Sequence, residues 1–404
     1  MLTQTEEHAL VSPVQSRGGT WLNLVAHLDP KYGGISAVLP SFCESVSLAG
    51  TEAALVPFCG AGEQYDVAPS IPLDVFPLGM SRWFVERELR NRLNDHITEC
   101  AGVHIHGIWQ EHCLFGAQAA RAARKPYVVS AHGMLEPWAL RNKGWKKRLY
   151  SLLIEERNVA GATCLHALTG AEVEEYRSFG ARNPIVVIPN GVRIPRAGNS
   201  SDFFLKFPDL AGKRILLFLG RLHFKKGLDL LCRAWHNAQR SEESHLVLAG
   251  PDFEGTEKRV KQMIFELGIE RSVTFAGMLK GAEKWSALKA ADAFVLPSRS
   301  EGLSVSVLEA MGMGLPVIVS SRCNVTEVRQ RECGWMIEPN VFELTDALGQ
   351  YFESSAADRK RFGANGRRVV EQIYSWDSVG RQMSAVYEWL AGGDKPSGVD
   401  LRLS

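Results

Sequence analysis

Short apolar runs alternate with longer amphipathic stretches along most of this chain, and the alternation occurs in two series. The first series begins at Trp21 and the second at Arg214. Continuous Val, Ile and Leu runs separated by helix-length segments are typical of a parallel sheet with helices on both faces. The sequence therefore predicts an α/β fold with two sheets, and 404 residues are enough to form two separate cores.

The apolar runs give the positions of the predicted strands. In the first series these strands lie at 21–28, 52–58, 73–78, 103–106, 126–131, 162–168 and 184–190. In the second series they lie at 214–220, 244–250, 272–277, 292–297 and 315–320.

The polar segment between the two series contains proline and glycine, which is typical of an interdomain linker. The N-terminal residues are also polar, and the last long amphipathic stretch contains tryptophan. We therefore expect a flexible leader at 1–19, a first domain at 20–192, a linker at 193–213, a second domain at 214–374 and a final helix at 375–392.

Composition excludes several classes of protein. The formal net charge is +1, so the chain as a whole gives no electrostatic case for nucleic-acid binding. None of the eight cysteines forms a C-x-x-C pair, which argues against a zinc ribbon or a thioredoxin-type site. Scattered cysteines and a polar N-terminus favour a cytoplasmic location. No run reaches about 18 apolar residues, the length that a membrane-spanning helix needs.

Several motifs for nucleotides and metals are absent from the sequence. It has neither G-x-G-x-x-G nor a P-loop, which excludes an ordinary dinucleotide dehydrogenase and a P-loop enzyme. It also lacks the G-x-S-x-G hydrolase turn and the H-E-x-x-H metal helix. There is no Asp-x-Asp, by which many metal-dependent sugar transferases hold a divalent ion. We therefore expect no metal ion and no cofactor.

Glycines and cations follow the first predicted strand of each domain. Ligands of open parallel sheets bind beyond the carboxyl ends of the strands. Gly33 and Gly34 stand at the start of a helix, where they favour close approach of an anion or form a tight turn. In the second domain, Gly220 and Arg221 precede Lys226. This loop is suited to a diphosphate, and the alternative is a solvated basic loop.

Two glutamates flank the start of a helix after the predicted strand 292–297. Glu301 and Glu309 are eight residues apart. If the whole span were helical, the rise between them would be about 12 Å, near the reach of a diphosphate that links ribose to a sugar. One carboxylate would then hold ribose hydroxyls and the other sugar hydroxyls. The alternative is a capping residue followed by an ordinary helical glutamate, although Glu309 stands among apolar residues, where an unpaired carboxylate is costly.

Histidines end two predicted strands of the first domain. His106 and His132 are each followed by glycine, so both are expected at the ligand-binding edge of the sheet. Histidine there can donate to a sugar oxygen or stabilise developing charge. His106 and the nearby Trp109 are therefore candidates on the acceptor side, whereas His104 lies inside a strand and favours a core role.

These motifs occur in an order and spacing that resemble the retaining glycosyltransferases of family 4, also called glycosyl transferase group 1. The resemblance runs from about residue 20 almost to the end of the chain and is strongest in the second domain. The motifs are Gly-Gly at 33–34, His-Gly at 132–133, P-N-G-V at 189–192, G-R-L-x-x-x-K-G at 220–227, E-x7-E at 301–309 and G-x-P-V-I at 314–318.

The resemblance implies the GT-B fold, in which two Rossmann-like domains face each other across a cleft and a C-terminal helix crosses back to the first domain. It also assigns roles to residues. Arg221 and Lys226 would bind the donor diphosphate and stabilise the departing nucleotide, and Glu309 would hold the ribose. Glu301 and His132 would contact the transferred sugar, and Gly302 and Leu303 would offer backbone N–H groups nearby. The backbone would approach the donor closely at Gly33, Gly34 and Gly220.

The resemblance implies a retaining, metal-independent transfer of a hexose from a nucleotide diphosphate sugar to a saccharide or lipid-linked saccharide. Cell-surface polysaccharide or lipopolysaccharide synthesis would be the setting. Many family members have E-G-F-G where this chain has Leu303 and Ser304 after Glu301 and Gly302, which affects the donor site. The alternatives are an epimerase or phosphorylase of the same fold and a non-catalytic nucleotide-sugar-binding scaffold.

A basic segment suggests how a lipid-linked acceptor would be reached. Residues 141–148 hold five cations and no acid, with aromatic residues interleaved around them. On an amphipathic helix, such a segment would rest on the anionic inner face of a membrane as a peripheral contact. The alternative is an ordinary solvated helix face.

Overall fold

The chain folds into two compact units. The first comprises Met1–Gly191 together with Trp376–Ser404, and the second comprises Val192–Ser375. Each has its own sheet and its own hydrophobic core, as the sequence predicts for this fold class. The computed structural model describes residues 19–29, 34–59, 67–76, 87–135, 154–195, 199–397 and 399–402.

The first unit is built on a seven-stranded sheet. Its strands are β1 (Trp21–Val25), β2 (Ala53–Pro57), β3 (Gly102–His106), β4 (Tyr127–Ser130), β5 (Cys164–Ala167), β6 (Ile185–Val187) and β13 (Asp400–Arg402). The strand order is β13-β6-β5-β4-β3-β1-β2, and all neighbours are parallel except β13, which is antiparallel to β6. The described helices are α1 (Gly34–Leu48), α2 (Arg87–Glu99), α3 (Glu111–Ala122), α4 (Glu156–Ala160), α5 (Gly170–Ser178) and α14 (Trp376–Leu390).

The second unit is built on a six-stranded parallel sheet. Its strands are β7 (Arg214–Leu219), β8 (Ser244–Ala249), β9 (Val273–Gly277), β10 (Ala293–Leu296), β11 (Val317–Ser320) and β12 (Gly334–Ile337). Their order is β12-β11-β10-β7-β8-β9. The described helices are α6 (Ser201–Lys206), α7 (Leu228–Asn237), α8 (Thr256–Glu266), α9 (Gly281–Ala290), α10 (Val305–Gly312), α11 (Glu327–Gln330), α12 (Val341–Glu353) and α13 (Ala356–Ile373).

The central strands are buried on both faces, which explains their continuous apolar runs. Every residue of β1 is buried, and so is every residue of β10. The first unit's strands nevertheless carry fully enclosed polar side chains at Asn23, His104 and His106. Buried polar groups need hydrogen-bond partners, so these three side chains require a network of their own. None of the helices in the described ranges combines the length and apolar character needed to cross a bilayer.

The final helix packs inside the first unit, against α1. Gly380 of α14 lies so close to α1 that an added Cβ would be 2.2 Å from the carbonyl oxygen of Ser45. Nearby, the rings of Tyr387 and Trp21 stack with their centroids 4.0 Å apart. A residue without a side chain at position 380 therefore allows these two helices to approach each other.

Gly380→Ala is expected to lower the free energy of unfolding by about 1–3 kcal/mol, because the new methyl group forces the helices apart. Urea unfolding followed by circular dichroism measures the loss. Gly349→Ala is the matched control, since Gly349 also lies within a helix but has no atom within 4 Å of an added Cβ. The control is expected to be neutral or slightly stabilising. Equal losses in both variants would contradict this account of the contact.

The segment predicted as a linker differs from the prediction, because part of it belongs to the second unit's core. Residues Ser201–Lys206 form α6, and Phe203 is only 4% exposed. The backbone N–H of Phe203 also donates to the hydroxyl of Ser286 on α9. The polar composition of residues 193–213 gives little sign of this packing, in which Phe204 and Phe207 also contact the second unit's core.

Two further segments differ from the sequence prediction. Residues 73–78 were predicted as a strand, but within the described part of this segment the structure has an isolated bridge between Leu73 and Leu55. Backbone bonds from Asp74 to Leu55 and from Phe76 to Pro57 continue the pairing irregularly. Strands β12 and β13 were not predicted, because one starts with glycine and the other has only three residues.

Candidate active site

The basic loop after β7 is held in a tight conformation. His223 accepts the backbone N–H of Lys225 through its side chain, which starts a single 3-10 turn at Phe224–Lys226. Gly227 ends that turn in the left-handed region, with φ 69°. A Cβ added at Gly227 would lie 2.1 Å from the carbonyl oxygen of Pro297, so the turn packs directly against the end of β10. The loop therefore brings its lysines to the segment that carries Glu301.

Lys226 and Glu301, predicted as separate donor contacts, form an ion pair in the structure. The Nζ–Oε1 distance is 2.6 Å, and the two side chains are 18% and 13% exposed. Ser298 also donates its hydroxyl to the same carboxylate oxygen at 2.5 Å. A half-buried ion pair with an additional hydroxyl donor is a fixed charge arrangement, whereas long side chains in solvent would move freely.

Asn324 holds the backbone that follows the Glu301 side chain. Its Nδ2 donates to the carbonyl of Glu301 at 2.6 Å and to that of Gly302 at 2.8 Å. Asn324 itself has φ 57°, a conformation that asparagine tolerates better than most residues. Sequence reasoning missed this residue, because it follows a different strand and carries no motif.

The continuous helical spacing considered for Glu301 and Glu309 is wrong. Helix α10 begins at Val305, so the residues from Glu301 to Ser304 are a loop and the span to Glu309 is not helical throughout. The rise of about 12 Å therefore does not apply. Gly302 and Leu303 lie in that loop, and both residues are partly exposed.

Glu309 has a partner that sequence reasoning also missed. Lys284 of α9 donates to its carboxylate at 2.5 Å, and the Lys284 ammonium lies 4.4 Å from the centre of the Trp285 ring. Burial raises the pKa of Glu309 above its usual value, although the charge of Lys284 opposes the rise. The ion pair with Lys284 gives Glu309 the charged partner that a carboxylate needs in an otherwise apolar helix.

The two arginines near this loop differ in their surroundings. Arg221 is exposed, and its guanidinium carbon lies 5.6 Å from the centre of the Phe253 ring. Arg299 is bound to both carboxylate oxygens of Asp229, at 2.8 and 2.7 Å. Burial favours a higher pKa for Asp229, but the Arg299 hydrogen bonds and charge outweigh it and lower the pKa. Arg299 is thus a structural cation, whereas Arg221 presents its charge to solvent.

In the first unit, the structure brings His132 and His106 together. Nε2 of His132 lies 3.0 Å from Nδ1 of His106, and Nε2 of His106 lies 3.0 Å from Oδ1 of Asn23. His132 has φ 51°, so a strained turn holds it at the end of β4. Burial and the neighbouring imidazole of His166 lower the pKa of His132 to about 3. The ring is therefore neutral at physiological pH.

Two further candidates of the first unit, Gly34 and Trp109, lie at the start of α1 and after β3. Gly34 is the first residue of α1, and an added Cβ there would meet no atom within 4 Å. Trp109 follows β3 with φ 70°, and its backbone N–H donates to Glu155. Burial raises the pKa of Glu155 to about 7. Gly33 and the basic segment 141–148 lie outside the described residues.

The chain resembles known sugar transferases in both halves. Residues 202–369 match the family described as glycosyl transferases group 1, and residues 33–191 match the glycosyl transferase 4-like domain. A glycosyltransferase of Methanocaldococcus jannaschii is 29% identical over 178 residues, which are 44% of this chain and 45% of the relative. The MMP alpha-(1->4)-mannosyltransferase of Mycolicibacterium hassiacum is 30% identical over 275 residues, which are 67% of this chain and 60% of the relative.

The chain thus matches less than two thirds of the length of either relative. Among solved structures, Anabaena HepE in complex with UDP and glucose is similar with a TM-score of 0.71 and 18% sequence identity. The match covers 92% of this chain and 99% of that chain. At this identity the likeness establishes a shared fold.

Proposed function

Because this chain belongs to the glycosyl transferases group 1 and has the GT-B fold, we propose that it transfers a hexose from a nucleotide diphosphate sugar. The acceptor is a saccharide or a lipid-linked saccharide, and the reaction retains the anomeric configuration and needs no metal ion. One observation carries the proposal: at the carboxyl ends of β7 and β10, Lys226, Glu301 and Ser298 form a fixed charged cluster, with Arg221 at the end of the same strand β7.

In this proposal, the second unit binds the nucleotide diphosphate. Arg221 is the exposed cation of the β7 loop and binds the diphosphate directly. Lys226 stabilises the negative charge that develops on the departing phosphate, and its pairing with Glu301 keeps the ammonium in place before the reaction. Preorganised charge of this kind replaces the divalent cation that an Asp-x-Asp motif would hold.

The two glutamates divide the remaining contacts of the donor. Glu309 accepts hydrogen bonds from the two ribose hydroxyls, as a carboxylate with two acceptor oxygens can. Lys284 occupies one of these oxygens, Oε1, and orients the group. Glu301 contacts the transferred sugar, and Asn324 fixes the backbone on which it stands. The side chain of His132 contributes a further contact to the sugar hydroxyls.

The proposed reaction uses no protein nucleophile. The departing phosphate accepts the proton of the acceptor hydroxyl while the new glycosidic bond forms on the same face of the sugar. The similarity to a mannosyltransferase and to a protein bound to UDP and glucose supports a hexose donor and a nucleoside diphosphate leaving group. Surface polysaccharide synthesis at the inner face of a membrane is the setting we propose.

Calorimetric titration with UDP, GDP, ADP and CMP, in the presence of a chelator, tests the donor site. We expect one nucleoside diphosphate to bind, and Arg221→Ala to weaken it about tenfold, because a charge-assisted phosphate contact is lost. Lys261→Ala is the matched control, since Lys261 is a 57% exposed lysine of α8 that pairs with Glu257. Binding that requires added divalent metal, or equal weakening in both variants, would contradict the proposal.

A further inference from the structure

A buried polar network crosses the first unit's sheet near the carboxyl ends of its strands. It contains side chains from four adjacent strands, β1, β3, β4 and β5, and one from the final helix α14. All of its members inside the sheet are 2% exposed or less. These members are Asn23, His104, His106, Ser130 and His166, with Tyr387 from α14.

One branch of the network has a single consistent assignment of protons. The carbonyl oxygen of Ile188 can only accept, so Nε2 of His166, at 2.7 Å, carries a hydrogen. Nδ1 of the neutral ring then accepts from the hydroxyl of Ser130 at 2.7 Å. Ser130 in turn accepts from Nε2 of His104 at 2.6 Å, so Nδ1 of His104 accepts from Tyr387, also at 2.6 Å. The Tyr387 hydroxyl also lies 3.3 Å from Oδ1 of Asn23, but its one hydrogen is directed at the nearer His104 nitrogen. Every ring in this branch is neutral and carries its hydrogen on Nε2.

The second branch begins at Asn23 and ends at His132. Nδ2 of Asn23 faces the carbonyl oxygens of Trp21 and Ala54, at 3.3 and 3.4 Å, and both of these groups only accept. This contact fixes the amide orientation, and Oδ1 therefore accepts from Nε2 of His106. The bare Nδ1 of His106 then accepts from Nε2 of His132. The hydrogen of the neutral His132 ring lies on Nε2, and its Nδ1 is an unprotonated acceptor.

The protonation state required by both branches is also the one that the surroundings favour. Burial, followed by the neighbouring imidazoles, lowers the pKa of His104 and of His106 well below the ordinary histidine value. Burial lowers the pKa of His166 to about 4, although its hydrogen bond to Ile188 opposes this. In this arrangement, a second proton on Nδ1 of His106 would point an N–H at the N–H of His132.

We propose that Asn23 is a positioning residue that holds His132 as the Nε2–H tautomer, so that Nδ1 of His132 accepts a hydrogen bond from a hydroxyl of the transferred sugar. Among the described residues, Nδ1 of His132 has no hydrogen-bond partner. The sugar contact depends on the proposed function, whereas the tautomer depends only on the network. Asn23 touches no substrate and acts two hydrogen bonds away.

Two-bond proton–nitrogen NMR spectra of the full chain, labelled with ¹⁵N in histidine, test the tautomer without any ligand. At neutral pH we expect His106 and His132 to carry their hydrogen on Nε2. In Asn23→Leu, the acceptor that selects the Nε2–H form of His106 is lost, so we expect His106 and His132 both to populate the Nδ1–H tautomer as well. Ser130→Ala is the matched control: it disturbs the other branch and leaves His132 as the Nε2–H tautomer.

A wild-type His132 that carries its hydrogen on Nδ1 would overturn the proposal, even if Asn23→Leu fails to fold. An unchanged His132 tautomer in a folded Asn23→Leu variant would also overturn it. These results come from the protein alone, so they are independent of whether the chain is a transferase.

Donor analogues test the sugar contact. UDP-glucose or GDP-mannose, whichever binds, is compared with its deoxy and deoxyfluoro forms at each hydroxyl by calorimetric titration. Fluorine accepts but cannot donate, so at the position that contacts His132 both analogues should bind about tenfold more weakly. His132→Ala should remove this penalty. A position that tolerates fluorine but loses affinity with hydrogen, and does so only when His132 is present, would show that His132 donates and would overturn the proposal.

If neither these two nucleotide sugars nor any of the nucleoside diphosphates binds, the proposed function fails and the sugar contact fails with it. The NMR spectra test the tautomer assignment independently.

Discussion

Lys226→Ala is expected to lower kcat/KM by about 10²- to 10³-fold, which would be the largest loss among the single substitutions considered for the second unit. The ammonium is held 2.6 Å from Glu301 and supplies preorganised positive charge at the departing phosphate. The loss should fall mainly on kcat, because this charge matters most in the transition state. Steady-state release of the nucleoside diphosphate measures both constants.

Glu301→Gln and the double variant extend this test. Because Lys226 and Glu301 share one ion pair, the double variant should lose much less than the sum of the two single losses. Lys261→Ala, on the surface of α8, controls for the removal of one positive charge and should keep full activity. Additive losses, or a loss confined to KM, would contradict the assignment of Lys226 to the departing phosphate.

Glu309→Gln is expected to weaken donor binding about tenfold at neutral pH and to remove the acid limb of its pH profile. Ribose hydroxyls bind the ionised carboxylate, and burial raises the pKa of Glu309 despite the charge of Lys284. The wild-type protein therefore binds the donor with full affinity at a pH above this raised pKa, and the affinity falls as the pH decreases through it. Donor titration over a range of pH values measures both effects.

The acid limb should begin at a higher pH than an ordinary glutamate would give. Glu257→Gln makes the same chemical change on the surface of α8, where Glu257 pairs with Lys261, and should leave the profile unchanged. An acid limb that persists in Glu309→Gln would show that another group controls it.

The fold could be predicted because its strands carry their own signal. The run from Ile215 to Leu219 is apolar and ends at Gly220, so both the strand and the position of its ligand loop follow from the sequence. The short strand Gly334–Ile337 carries a weaker signal, since glycine and a three-residue apolar run also fit a turn. Its place beside β11 comes from tertiary pairing, which no local pattern expresses.

The candidate site could be predicted only in part, for a similar reason. Glu309 and Lys226 stand in motifs, but their partners lie at distant positions: Lys284 is 25 residues from Glu309, and Asn324 is 23 residues from Glu301. Such contacts depend on which helices and loops the sheet brings together. The role of Asn23 is harder still to predict, because a single asparagine inside an apolar strand gives no indication of the histidines that it contacts.

The stereochemistry of donor hydrolysis tests the central claim most directly, since water replaces the unknown acceptor. The purified protein is incubated with UDP-glucose or GDP-mannose in the presence of a chelator, and proton NMR records which anomer of the hexose appears first. We expect the α-anomer, released with the nucleoside diphosphate and lost in Lys226→Ala. Initial release of the β-anomer, or hydrolysis that the chelator abolishes, would contradict the claim.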